Sequence, residues 1–164
     1  HYSELYMMMH YMGMMHTCTV HQHEVQHGLY HQKHVEAFQV PSEWTMFIGE
    51  AEKSAQHGVF LKKVEGKGKH MLAMKTVHGA HSVEIHPEGE HGEHYKILVD
   101  GKEIAHNIDY HTEDWFALMV RPHIHGVVMT TFHYQLHMEY VGDKVIIEIP
   151  KVHGVQFYGH CLKH

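Results

Sequence analysis

With 164 residues, 43% of them hydrophobic and 20% charged, the chain is long enough for one domain with a real core and too apolar to stay disordered. Its 13 basic residues are spread among 19 acidic ones, so nucleic acid has no electrostatic footprint to meet, and no apolar run approaches the roughly 18 residues of a membrane-spanning helix. The outlier is histidine: 24 side chains that titrate near pH ~6.5 would reverse the formal charge of -6 in mild acid. The chain opens at His1 with no initiator methionine and no signal-peptide pattern, which reads as a processed or excised piece of a longer protein.

Residues 1–16 are a short Met/Tyr-rich N-terminal arm carrying half of the 12 methionines, with Tyr6, Met9, Tyr11 and Met12 among its apolar side chains. Thioethers can hold copper(I). They also fill irregular apolar gaps and line adaptable binding surfaces, and that is the use expected here, with the arm packing on or across the domain formed by residues 17–164.

From Cys18 onward the hydrophobic period is two. Thr17 to Val25 and Trp44 to Ile48 read as strands separated by a break at Pro41-Ser42. Val59-Phe60-Leu61 leads through Gly66-Lys67-Gly68 into Met71 to Val77, a hairpin by pattern. Ser82 to Ile85 alternates before a turn at His86-Pro87-Glu88-Gly89. In the clearest hairpin, Tyr95, Ile97 and Val99 share a face, Asp100-Gly101 makes the turn and Ile104 returns. Trp115 to Val120 is apolar on both faces, the mark of an interior strand. Phe132, Tyr134, Leu136, Met138 and Tyr140 alternate with polar residues, and Gly142-Asp143 turns into Val145 to Ile149. No long stretch has a 3.6 period. The expected fold is all-β, an antiparallel β-sandwich of ten or so short strands.

Two cysteines stand at the ends of this region. They are either two buried thiols or one bridge; their terminal placement favours the bridge, and with it an oxidising, secreted setting.

The order of these signals resembles a von Willebrand factor type D domain of the kind found in vitellogenins and other large lipid-transfer proteins. The resemblance is carried by Cys18-Thr19-Val20, Val25-Gln26-His27-Gly28-Leu29-Tyr30, Pro41-Ser42-Glu43-Trp44, the Val99-Asp100-Gly101 hairpin and the closing Gly154 to Cys161. It implies a β-sandwich of that type, a Cys18–Cys161 bridge, and an extracellular, non-catalytic module of a lipid-carrying storage protein. Glu43 stands where the family has a cysteine, and the acidic calcium-binding segment is absent, so neither calcium nor disulfide-linked multimers are expected.

Among candidate ligands, His21 with His23 and His123 with His125 are His-x-His pairs, which on a strand put two imidazoles on one face for zinc or copper; His133 and His137 would share a face likewise. At this histidine content such pairs also arise by chance. Pro122-His123-Ile124-His125-Gly126 is similar to a cupin metal motif, but the glutamate that motif needs is delayed to Glu139. No Gly-x-Ser-x-Gly is present, and Gly66-Lys67-Gly68-Lys69 is too short for a phosphate loop.

The expected function is therefore a secreted carrier or storage module binding an apolar small molecule (lipid, carotenoid or bilin pigment), with Tyr6, Met9, Tyr11, Met12, Trp44 and Trp115 as lining residues and other chains or fragments of the same precursor as partners. The alternative is a histidine-rich zinc- or copper-binding, or pH-responsive, storage or structural protein.

Overall fold

The computed structural model describes residues 15–21, 32–67, 69–105, 108–152 and 154–162. Residues 1–14 and 22–31 lie outside it, so the arm residues Tyr6, Met9, Tyr11 and Met12, the histidine His23 and the Val25–Tyr30 motif are outside the described structure.

The described chain is an all-β sandwich of two sheets. β1 (Met15–His21) and β2 (Gln32–Glu36) start the first sheet as a parallel pair. The chain then crosses to the second sheet for an antiparallel meander of β3 (Thr45–Gly49), β4 (His57–Gly66), β5 (Lys69–His78), β6 (His81–Glu88), β7 (His94–Val99) and β8 (Lys102–Glu103). It returns for β9 (Tyr110–Glu113), β10 (Phe116–Arg121), β11 (Gly126–Thr131), β12 (His137–Tyr140) and β13 (Val145–Pro150), and β13 pairs with β1. The first sheet therefore runs β2-β1-β13-β12-β11-β10-β9. Among the described residues no helix is long and apolar enough to cross a membrane.

Alternation puts one face of each strand into the shared core. Phe116, Leu118 and Val120 of β10 and Ile147 and Ile149 of β13 face Leu61, Leu72, Met74, Val83 and Ile85 of the second sheet. Polar bonds cross between the sheets: Tyr95 of β7 donates its Oη–H to the Gly126 carbonyl of β11 at 3.3 Å, and buried Tyr140 donates its Oη–H to the Leu72 carbonyl at 2.9 Å. Burial, with smaller contributions from Asp143 and Tyr95, pushes the Tyr140 phenol far above its ordinary range, so its proton stays on and its bond to Leu72 is kept.

Local turn chemistry explains the hairpin between β7 and β8. Asp100 and Gly101 both take positive φ (49° and 83°), the two-residue turn that matches strand twist. The Asp100 carboxylate accepts from the Ser82 N–H (2.9 Å) and from His81 Nδ1 (3.0 Å), and these bonds, the backbone one first, hold it below the usual carboxylate range.

The two ends of the domain are clasped. Cys18 in β1 and Cys161 are disulfide-bonded, with Cα atoms 5.5 Å apart and both residues buried. Just before the bridge, Tyr158 and Gly49 of β3 exchange both backbone hydrogen bonds (2.8 and 2.9 Å). The final segment is thereby tied to the first sheet by sulfur and to the second by backbone. Gly159 makes this approach possible: a Cβ there would collide with the Phe47 carbonyl oxygen, and its φ is +127°.

Three sequence expectations are corrected. β6 runs through Glu88, with Pro87 paired to Tyr95, so the turn falls at residues 89–92 and not at His86–Gly89. The segment read as one strand from Phe132 to Tyr140 becomes strand only at His137; residues 132–136 form a turn in which Tyr134 and Gln135 have positive φ (62° and 55°). His123 lies in a short 3-10 turn over Pro122–Ile124 and His125 is left-handed, so this pair does not share a strand face. In each case the period-two signal is real, but pairing partners, which a local pattern does not contain, decide where the ladder stops.

Candidate functional site

The outer face of an antiparallel sheet that meets water is normally polar. Over β9, β10 and β11 it is not. Register places Tyr110, Met119 and Val128 in one cross-strand row, and Ala117 beside Thr130 in the next. The small Ala117 lowers the floor between larger neighbours. Phe132 and Gln135, from the turn after β11, complete a groove of about 420 Å³. Tyr110 and Phe132 remain 53% and 52% exposed, unusually high for aromatic side chains that share one patch. No charged side chain is among the described residues that line it. This is the cause of the two-faced apolarity of Trp115 to Val120: Phe116, Leu118 and Val120 face the core, while Ala117 and Met119 face the groove.

The predicted lining residues Trp44 and Trp115 line no common pocket. Trp44 sits on the outer side of the second sheet, where Lys62 and Lys75 each place Nζ 4.8 Å from its ring centroid and His86 stands edge-on at 5.8 Å. That is a cation–π cluster, which covers the ring. Trp115 is buried at one end of the sandwich, stacked on His78 (5.4 Å, 14° between planes) and packed against Phe116 at 4.7 Å.

Of the predicted metal ligands, His21 is buried in β1 with its ring edge-on to His34 at 5.7 Å, and His123 and His125 are exposed. Among the described residues, no three His, Cys, Asp or Glu side chains form a group that could hold a metal ion. The structure instead gathers histidines that no local spacing links. His57 at the start of β4, His78 at the end of β5 and His133 in the turn after β11 have ring centroids 4.1 Å (His57–His133), 4.7 Å (His57–His78) and 5.9 Å (His78–His133) apart. His57 Nδ1 donates to Glu50 Oε2 at 3.1 Å. Burial first, then repulsion from His57, His133 and His81, lowers the pKa of His78; burial first, then His57, lowers that of His133. Phe132 and His133 are neighbours in one turn, so the turn sends one side chain to the groove and the next to this cluster.

No known protein-family profile and no curated protein sequence matches the chain.

Proposed function

We propose that this domain is a non-catalytic carrier module that holds an uncharged apolar small molecule, a lipid or a carotenoid, in the groove over β9, β10 and β11. The observation that carries the reading is the outward-facing apolar row of Tyr110, Met119 and Val128 beside Ala117, flanked by exposed Phe132. Keeping such a face in water is unfavourable by roughly 25 cal/mol per Å² of apolar area, and a ligand laid along it removes that cost. The volume falls in the usual range for small-molecule sites. A bilin is a poorer fit, because its carboxylates need cations; Arg121, with Nη2 3.4 Å from Met119 Sδ, stands at the rim to offer one. The Cys18–Cys161 bridge supports a secreted setting, since disulfides persist in oxidising compartments, and the likeness to the lipid-carrier type of von Willebrand factor D domain points the same way.

The test is a fluorescence titration with the neutral dye Nile red. Saturable enhancement is expected for the native protein. Ala117→Glu places a carboxylate on the groove floor and should weaken binding at least tenfold, about 1.4 kcal/mol, without touching the core. Equal binding by both proteins would remove the groove from consideration. Organic extraction of natively purified protein then identifies the resident molecule, and a visible band that leaves with the solvent marks a carotenoid.

A further inference from the structure

The turn over residues 132–136 joins the groove to the histidine cluster. Phe132 and Gln135 line the groove, while His133, between them in sequence, lays its ring on His57 with centroids 4.1 Å and planes 26° apart. The base of the turn is fixed. The Thr131 N–H donates to the Leu136 carbonyl (2.9 Å), and the buried Thr131 hydroxyl donates to the His133 carbonyl (3.0 Å) and accepts the Leu136 N–H (3.2 Å). Its crown is strained: Tyr134 and Gln135 are non-glycine residues at positive φ, a conformation that costs energy and persists only where the surroundings impose it. Ring contacts supply that imposition, with Tyr134 against His133 (4.1 Å), Phe157 (5.4 Å) and His57 (5.7 Å).

These contacts suit neutral imidazoles. His57 and His78 are paired across β4 and β5 with centroids 4.7 Å apart, and His133 lies 4.1 and 5.9 Å from them, so three imidazolium charges here would repel one another. Two carboxylates face the three rings. Glu50 Oε2 accepts from His57 Nδ1 (3.1 Å), and Asp114 lines an open depression with His78 and His133. His81 of β6 also faces this depression and is engaged by Asp100 (3.0 Å), while nearby Glu113 is engaged by His111 (3.3 Å). Full protonation therefore leaves positive charge in excess. His57 and His78 belong to a strand ladder, and Glu50 and Trp115 brace their rings. His133 is exposed on a strained turn, so the turn is what yields.

We propose that mild acid drives the turn at residues 132–136 outward, which takes the Phe132 wall off the groove and speeds release of the apolar molecule held there. This regulation rests on the carrier reading of the groove. Burial first, then neighbouring imidazoles, lowers the pKa of His78 and of His133, with Glu50 opposing part of the shift at His133. In the opened turn the His133 ring meets water and returns toward pKa ~6.5. Opening thus takes up protons: the closed turn keeps its full advantage above pH ~6.5 and loses it as pH falls through the depressed values.

Two measurements on the native protein test this. Amide hydrogen exchange by NMR, corrected for its intrinsic pH dependence, reads the turn without any ligand, through the Phe132 N–H that donates to the Trp115 carbonyl (2.9 Å). Its protection should fall roughly tenfold between pH ~7.5 and ~5, and stopped-flow release of Nile red should quicken by a similar factor. His133→Gln, at an exposed position, should remove both pH dependences, and His123→Gln should leave both intact; near-ultraviolet circular dichroism checks that each variant is folded. Protection that does not change with pH, or that falls equally in His133→Gln, would overturn the acid-driven turn. Protection that falls while dye release stays constant would overturn its link to the groove. Failure of the dye to bind at either pH would instead sink the carrier reading, and the release claim with it.

Discussion

Breaking the Cys18–Cys161 bond is the perturbation whose size follows most directly from the fold. The bond joins residues 143 apart, so in the unfolded chain it closes a loop containing nearly the whole domain. In the chain-entropy treatment a loop of that length corresponds to about 5 kcal/mol at 25 °C. The total stability of a domain is only about 5–15 kcal/mol, so the bond contributes a large share of it. The assay compares urea unfolding of the oxidised protein with that of protein reduced while unfolded and returned to native buffer with reductant. With a urea slope of about 2 kcal/mol/M, the midpoint should fall by about 2–3 M, or the reduced chain should already be unfolded without urea. The geometry also indicates how the reasoning can fail. The closing segment is held to β3 by backbone bonds between Tyr158 and Gly49 as well as by sulfur. If reduction only frees that segment while the sandwich stands, the midpoint will move by less than about 0.5 M, and the claim that the bridge constrains the whole chain is refuted.

Two further outcomes follow from single buried groups. Thr76 is fully buried and its Oγ1 has no hydrogen-bond partner; Thr76→Val removes the stranded hydroxyl at nearly constant shape and should stabilise by about 1 kcal/mol in thermal or urea unfolding, and a destabilised variant would show that the hydroxyl is satisfied. Burial holds the pKa of His137 below its ordinary value, although Glu148 stands across from it on β13, Glu139 neighbours it in β12 and Thr130 Oγ1 lies 2.9 Å from its Nδ1. The unfolded chain then takes up this proton more readily than the folded one, so the contribution to stability is present above pH ~6.5 and lost as pH falls through the depressed folded value. His137→Gln should flatten the stability profile in that window, and a folded-state imidazole midpoint above ~6.5 by NMR would reverse the sign of the argument.

Sequence alone determined what depends on neighbours along the chain. Alternation fixed which residues of Val145 to Ile149 point inward, and Asp100-Gly101 fixed a two-residue hairpin because few other pairs tolerate two positive φ angles. The two cysteines limited the bridge to one pairing. Tertiary structure decided what depends on adjacency in space. A period of two tells inside from outside, but it does not say that β13 closes onto β1, or that the outward faces of β9, β10 and β11 lie side by side as a groove. The groove did leave a trace, the two-faced apolarity of Trp115 to Val120, which fits full burial equally well until the other side of the sheet is seen. Local spacing directed attention to His123 and His125, which a 3-10 turn leaves exposed, whereas His57, His78 and His133 come from three distant segments. Their meeting follows from sheet order and from one strained turn, and neither is written in the residues adjacent to them.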